Sequence, residues 1–361
     1  MALLDKTFVI IMAGGKGTRF WPASRKKHPK QFLKILGKQS MLQLTCDRMI
    51  QVVSLQNIYV VTEAGFKDEV AKQLPELPPK NILEEPMGKS TAAAIGYAAV
   101  TITREVPDAT LILLPSDHYI GDLHEFTNTM KTVSGYAQDN DVLCTLGVKP
   151  TSPETGYGYI HLGNRFEKVG DYKIFQVENF VEKPDLYTAI RYLEDGKYYW
   201  NSGIFVFSAK ALFESIIAYM PKLWQGLENV IKLPFPYPGD ELNKIYSDFE
   251  NISIDYGIME KADNVQCMPA SFIWSDTGSW TSLENFLEKD EEGNMTHGDV
   301  INLGCTNCII VGNESMTAAI NVHDLIIVSS PNAVLVSNKE NAQEVKKVVE
   351  QLEKDAKEKY L

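Results

Sequence analysis

Three groups of residues in this chain have types and spacings that can do chemistry. The first is the glycine-rich turn Ala13-Gly14-Gly15-Lys16-Gly17-Thr18-Arg19, which runs on through Phe20-Trp21-Pro22 to Pro29-Lys30-Gln31. Glycine lets main chain come close to a ligand and expose its N–H groups, while Lys16, Arg19 and Lys30 bring positive charge. That combination can wrap a polyphosphate. It is not a P-loop, because Gly15-Lys16 is followed by Gly17 rather than by Ser or Thr. Nor is it the dinucleotide fingerprint, because Phe20 stands where the third glycine belongs. The second group is a pair of aspartates far apart in the chain, Asp117 and Asp276. A divalent cation such as Mg²⁺ favours one or two carboxylates together with phosphate oxygens and water, and these two are the candidates to hold it. Asp117 follows the apolar run Leu111–Leu114, and Asp276 sits between Trp274 and Gly278. The plainer readings are a helix cap for Asp117 and a turn for Asp276. The third group is Glu182-Lys183-Pro184. Neighbouring strand residues point to opposite faces, so this anion and cation meet one ligand only where the strand bends, as Pro184 favours. A surface ion pair is the alternative, and the apolar approach Phe180-Val181 argues against it.

These residues need a scaffold that brings them to one edge. Residues 8–12, 58–62, 81–84, 110–114 and 142–148 read as strands. Between them 41–53, 67–74, 91–103 and 123–138 read as helices, the third opening on Gly88-Lys89-Ser90 as a capped start. The alternation predicts an α/β fold, a Rossmann-like and mostly parallel mixed sheet with flanking helices. Ligands of such sheets bind beyond the carboxyl ends of the strands, where Gly14 and Asp117 both fall. From about residue 150 strands dominate (156–162, 173–181, 201–207), joined by one helix at 185–194, and Leu233–Gly239, with three prolines, reads as a rigid loop. A boundary is expected near 288, giving a catalytic domain over 1–288 and a small β domain over 289–361. The latter shows short strands at near-regular spacing (299–303, 308–311, 325–329, 333–337). The tail 341–359 reads as one amphipathic helix with Val345, Val348, Val349, Leu352 and Ala356 on a face. That face can pack on its own β domain or on a partner chain; the reading leans to the second, a homodimer.

Composition narrows the class. A formal net charge of −12 argues against nucleic acid as a partner but not against a small nucleotide in a locally basic pocket. No apolar run approaches the ~20 residues of a membrane span, and residues 8–12 are too short for a signal peptide, so a cytoplasmic protein is expected. The five cysteines are odd in number and scattered, which suits a reducing compartment. Cys305-x-x-Cys308 lacks a second pair or suitably spaced histidines and is read as ordinary buried thiols.

Phe20-Trp21-Pro22 with Ser24-Arg25, and Pro29-Lys30-Gln31-Phe32, resemble the guanylyltransferase branch of the sugar-1-phosphate nucleotidyltransferases. Further blocks recur in order: Leu114-Pro115-Ser116-Asp117-His118, Thr155-Gly156-Tyr157-Gly158-Tyr159-Ile160, Phe180-Val181-Glu182-Lys183-Pro184, Asn201-Ser202-Gly203-Ile204-Phe205 and Trp274-Ser275-Asp276-Thr277-Gly278-Ser279-Trp280. Together they cover most of residues 7 to 285. The resemblance implies transfer of GMP from GTP to α-D-mannose 1-phosphate, with release of pyrophosphate and Mg²⁺ as cofactor. It implies that Asp117 and Asp276 hold the metal, that Arg19 faces the β- and γ-phosphates, and that Lys30 lies near the α-phosphate. Ala13, Gly14, Gly15, Lys16, Gly17 and Thr18 then bind the nucleotide. The base meets Glu85, Pro86 and Gly88, with Glu85 the acceptor for the guanine N–H donors unless main-chain carbonyls do that work. Gly156, Glu182, Lys183 and Asn201 bind the sugar phosphate. Where the family commonly has Arg-Asn, this chain has Lys89-Ser90. The C-terminal region is expected to be a short left-handed β-helix. Some members carry a long isomerase domain, and residues 289–361 are too few for it, so no phosphomannose isomerase activity is expected. Two other readings stay open: transfer of another nucleotide to a hexose 1-phosphate, and a non-catalytic homologue that only binds nucleotide sugar.

Overall fold

Runs of β-branched and other apolar residues become strands because both faces of a covered sheet must be apolar. In the computed structural model, which describes residues 4–15 and 17–361, the strands are β1 (Thr7–Ala13), β2 (Ile58–Glu63), β3 (Ile82–Glu85), β4 (Thr110–Pro115), β5 (Tyr119–Ile120), β6 (Leu143–Val148), β7 (Gly158–Val169), β8 (Tyr172–Glu182), β9 (Tyr198–Ser208), β10 (Val265–Pro269), β11 (Trp274–Ser275), β12 (Met295–Leu303), β13 (Ile309–Ile320), β14 (Leu325–Ser330) and β15 (Ala333–Asn338). The chain divides into two compact units. One holds residues 4–14, Thr45–Ser116 and Ile120–Trp274; the other holds Gly15–Leu44, Asp117–Tyr119 and Ser275–Leu361.

The first unit is built on a nine-stranded sheet in the order β3-β2-β1-β4-β9-β6-β10-β8-β7. β3, β2, β1 and β4 are parallel. β9 lies antiparallel between β4 and β6, β10 is parallel to β6, and β8 is antiparallel to both β10 and β7. Seven strands therefore share one direction, and only β8 and β9 oppose them. The carboxyl ends of β1, β2 and β3 are in register, with Ala13 opposite Thr62 and Glu63 opposite Glu85. The Thr62 hydroxyl donates to the Ala13 carbonyl at 3.1 Å, fixing the exit of β1. One face is covered by an alanine-rich helix, Ser90–Ile102, packed with Leu212, Leu223, Leu227 and Tyr246 into a single core.

Several local expectations change. Ser90 does not cap its helix: it adopts φ 66°, and Thr91 instead accepts the Ile254 N–H at 2.9 Å. Between β9 and β10 lie the helices Ala209–Tyr219, Pro221–Lys232 and Gly239–Ser247, none of which was expected. The proline-rich segment does form the connection between the last two.

The second unit carries the four-stranded sheet β12-β13-β14-β15. β12, β13 and β14 stack in parallel, Met295 opposite Ile309 and Ile309 opposite Ile326, so successive turns of chain lie over one another as in a β-helix. β15 closes it antiparallel to β14. The tail is not one helix. A 3₁₀ segment (Lys339–Val345), an α-helix (Lys346–Lys354) and a last 3₁₀ turn (Glu358–Tyr360) follow one another, and Asn341 and Ala356 (φ 52°) leave helical geometry. Val345 and Val349 pack into the core of their own unit, with Val348 and Leu352 against it, so this face covers the chain's own β structure and not, as expected, a partner chain. The same core holds Phe20, Trp21 and Trp280 beside Val311 and Val328, so the second half of the glycine-rich segment is built into the C-terminal β structure. All five cysteines are free and buried, Cys305 and Cys308 included.

Candidate active site

Lys30 opens a short 3₁₀ turn, Lys30–Phe32, entered from the extended Pro29. It is only 4 % exposed. Its ammonium donates to Asp117 Oδ2 at 2.7 Å, to the Asp117 carbonyl at 3.2 Å and to the Asp276 carbonyl at 3.0 Å. It also lies 5.2 Å from the centre of the Phe20 ring, a cation–π distance. A lysine buried this deeply needs all three donors satisfied, and here both aspartates supply the acceptors. Burial alone would raise the Asp117 carboxyl, but Lys30 and His118 outweigh it and hold that carboxyl below the usual range.

Thr277 ties the same knot from the other side. It is fully buried, has φ 45°, and its hydroxyl bonds to the Asp117 carbonyl and lies 2.8 Å from the Asp276 carbonyl. Asp276 Oδ1 accepts the Gly278 N–H at 2.9 Å. The two aspartates, 159 positions apart in the numbering, thus face one cavity of about 200 Å³, lined also by Gly17, Arg19, Lys30 and Gly278. Gly17 is essential to this packing. It has φ 55°, and a Cβ there would come 2.5 Å from the Lys30 Cβ. Thr18 opens the 3₁₀ turn that carries Arg19. Arg19 Nη1 donates to Gln343 Oε1 at 2.9 Å, leaving further N–H groups of the guanidinium for an anion. Gly15, with φ 106°, belongs to this unit; Lys16 lies outside the described residues. Arg25, quoted above only for the resemblance, bonds to the Tyr360 carbonyl, Ser330 and Asn332, and the Trp21 indole donates to the same Tyr360 carbonyl at 2.9 Å.

The remaining candidates lie in the first unit, in two places. Ala13 and Glu85 end β1 and β3 at their in-register carboxyl ends, and Gly14, Pro86 and Gly88 follow them. The Glu85 carboxyl is buried beside Tyr246; burial, countered by the Tyr246 hydroxyl and reinforced by Glu63, pushes it up to about 8. Its Oε1 has no hydrogen-bond partner among the described residues. The second place is the junction of β7, β8 and β9. Glu182 Oε1 accepts the Lys183 ammonium at 2.5 Å, and Lys183 has φ 50°, the bend that lets these two neighbours meet. Asn201 Oδ1 accepts Thr145 Oγ1 at 3.2 Å and the Gly203 N–H at 3.1 Å, while Asn201 Nδ2 donates to Asp255 Oδ1 at 2.9 Å. Burial and the Glu182 charge push Asp255 up to about 6. Gly156 is exposed and nothing crowds its Cβ position. Sequence reasoning missed Thr277, Gln343, Gly158 and Asp255. Thr277 and Gly158 stood inside quoted motifs, whereas Gln343 and Asp255 carried no local signal.

A glycine-rich turn and two convergent carboxylates occur in a chain that also carries an α/β sheet, and residues 8–293 match the family model described as Nucleotidyl transferase: the chain belongs to that family. Residues 298–352 match the MannoseP isomerase/GMP-like beta-helix domain. The Klebsiella pneumoniae protein named mannose-1-phosphate guanylyltransferase is 38% identical over 97% of this chain and 75% of its own length. The Escherichia coli K12 protein of that name is also 38% identical, over 97% of this chain and 74% of its length. The xanthan biosynthesis protein XanB of Xanthomonas campestris pv. campestris is 41% identical over 95% and 72% respectively. A Thermus thermophilus crystal structure, described as a mannose-1-phosphate geranyltransferase, superposes with a TM-score of 0.86 at 32% identity, covering 96% of this chain and 99% of that one. Within the nucleotidyl transferases the chain therefore groups with the mannose-1-phosphate guanylyltransferases.

Proposed function

We propose that the protein transfers GMP from GTP to α-D-mannose 1-phosphate, giving GDP-mannose and pyrophosphate. The observation that carries this is the Lys30 knot: one buried ammonium bonded to both aspartates beside Gly17 and Arg19. In the reaction an oxygen of the sugar phosphate attacks the α-phosphorus in line, a new P–O bond forms, and the bond to pyrophosphate breaks. Such chemistry needs positioning and charge stabilisation more than covalent help. Arg19 can fork two phosphate oxygens, the N–H groups of Gly14, Gly15, Gly17 and Thr18 can cradle the triphosphate, and Lys16 adds positive charge. Lys30 keeps the two carboxylates on one cavity and screens the developing charge.

Mg²⁺ is the cofactor this reading requires. Among the described residues no group of three or more His, Cys, Asp or Glu side chains is arranged to hold a metal ion. Two carboxylates on a cavity with room for phosphate and water fit Mg²⁺, which takes most of its ligands from just those sources. Held by Asp117 and Asp276, the ion supplies neutralising charge to the α-phosphate and departing pyrophosphate. Glu182, Lys183, Asn201 and Gly156 serve the sugar phosphate. Glu85, Pro86 and Gly88 serve the base; the burial of the Glu85 carboxyl favours main-chain carbonyls as the guanine acceptors. No helix among the described residues is long and apolar enough to cross a membrane, in keeping with a cytoplasmic enzyme. Association as a homodimer belongs to the same proposal and is read by the sedimentation of the purified protein.

The test is pyrophosphate release across GTP, ATP, UTP and dTTP paired with mannose 1-phosphate and glucose 1-phosphate. Turnover with GTP and mannose 1-phosphate is expected to dominate. Preference for another pair means a sibling nucleotidyltransferase, and no release with any pair means a binding homologue. Asp276→Asn is expected to lower kcat at least about a hundredfold with an unchanged circular dichroism spectrum. Near-normal turnover of that variant with Mg²⁺ present removes the metal assignment.

A further inference from the structure

Glu182 and Asn201 converge where Gly158 has no side chain, packed so closely that only glycine fits there. Gly158 lies opposite Glu182 in the β7–β8 ladder. A Cβ on Gly158 would sit 2.4 Å from Glu182 Oε2, 3.2 Å from the Asn201 Cβ and 3.6 Å from Asn201 Nδ2. Glu182 Oε2 is buried and has no hydrogen-bond partner among the described residues, in a side chain only 9 % exposed. A buried carboxyl oxygen left without a donor is costly, and a ligand hydroxyl would relieve that cost. What stands beside it is the Asn201 amide, and its polarity is fixed on three sides. Its oxygen accepts from Thr145 and Gly203, and its nitrogen donates to Asp255. Asp255 opens the π-helical turn Asp255–Met259, a type of turn that recurs at functional positions. A carboxylate can only accept, so Asp255 forbids the flipped amide.

We infer that Asp255 is a positioning residue of the sugar subsite: through Asn201 it sets an N–H donor beside the free acceptor of Glu182, and the two together take one hydroxyl of a hexose phosphate. The hydroxyl donates its proton to Glu182 Oε2 and accepts the remaining Asn201 N–H. This rests on the sugar half of the proposed function and adds a residue that no motif marked.

The experiment measures KM for mannose 1-phosphate and for GTP, with calorimetric titration of mannose 1-phosphate into the same proteins so that binding is read without turnover. Asp255→Ala removes the acceptor that orients the amide. It is expected to raise the sugar-phosphate KM and dissociation constant about tenfold or more, with the GTP KM and kcat within about twofold. Asp255→Asn keeps an acceptor for Asn201 and is expected to recover most of that loss. Gly158→Ala, whose methyl displaces the Glu182 carboxylate while leaving Asp255 intact, is expected to reproduce the Asp255→Ala split. Equal rises in both KM values, a fall confined to kcat, no effect of Asp255→Ala, or no recovery in Asp255→Asn each overturns the inference. Should Asp255→Ala fail to fold, Gly158→Ala and Asp255→Asn decide alone. A wild type that binds mannose 1-phosphate without releasing pyrophosphate defeats the catalytic reading and leaves this one to the titrations. A wild type that binds none defeats both.

Discussion

Thr277 shows how much a single side chain contributes to the candidate site. A non-glycine residue at φ 45° costs on the order of 1–3 kcal/mol, so its neighbours must hold it there. They do, through the carbonyls of the two aspartates that the site depends on. Thr277→Val keeps the branched shape and deletes the hydroxyl. The Mg²⁺ concentration for half-maximal rate is expected to rise about tenfold in Thr277→Val and to stay within about twofold in Thr277→Ser, the size of effect seen when support for metal ligands is removed. A direct titration of Mg²⁺ or Mn²⁺ into each protein supplies a readout independent of turnover. Glu85 makes the second case. Its carboxyl is raised by burial from 4.5 to about 8, so the neutral form is favoured in the folded chain. The stability this gives is complete below pH 4.5 and is lost as pH rises through about 8, on the order of several kcal/mol across the window. Glu85→Gln, neutral throughout, is expected to melt near the wild type at pH 4.5 and well above it at pH 8.5. Parallel melting curves at both pH values would show that Glu85 is not the group responsible.

At the scale of elements, legibility in the sequence followed how local the cause was. β1, β2, β3 and β4 were visible because buried parallel strands need unbroken apolar runs such as Thr110–Leu114. The helices over residues 209–247 do carry local signals, Ser208 as an N-cap accepting the Ala211 N–H and Pro221 at a first helical position, beside prolines that by themselves read as a loop. The terminal helix was expected to be continuous because residues 345, 348, 349 and 352 do share a face. The breaks are local backbone turns, Asn341 at φ −100° and Ala356 at φ 52°, which the spacing of apolar residues does not report. The site divides in the same way. Arg19, Lys30, Asp117 and Asp276 stood in motifs, whereas the partners that hold Arg19 and Asn201, Gln343 and Asp255, lie 324 and 54 positions away from them. The turn carrying Gly17 makes a test at this scale. Gly17→Ala places a methyl against the Lys30 side chain and main chain in a backbone conformation that favours glycine. A loss of about 1–3 kcal/mol is expected, with activity lost ahead of melting. An alanine variant with full activity would mean that the turn tolerates another path.

Across the whole molecule, an acidic chain with net charge −12 holds its candidate triphosphate site by local rather than global charge. The C-terminal segment contributes to that locality. The Tyr360 carbonyl receives both the Trp21 indole and the Arg25 guanidinium. Deleting residues 357–361 is expected to lower the melting temperature by several degrees, since hydrogen bonds to charged groups contribute about 1.5–3 kcal/mol each. It is also expected to raise the GTP KM while sparing the sugar-phosphate KM; a deletion that changes neither would detach the tail from the nucleotide turn. The buried ammonium of Lys30 has an outcome that covalent labelling can read. Amine-acylating reagents are attacked by deprotonated amines that solvent can reach, releasing the reagent's leaving group, and Lys6, Lys72 and Lys222 offer side chains more than half exposed. Lys30, wrapped in three oxygens, should stay unlabelled in a peptide map of the untouched protein. It should become reactive once Asp117→Asn loosens its wrapping, so that a reagent selective for accessible amines gauges how firmly the two aspartates are held.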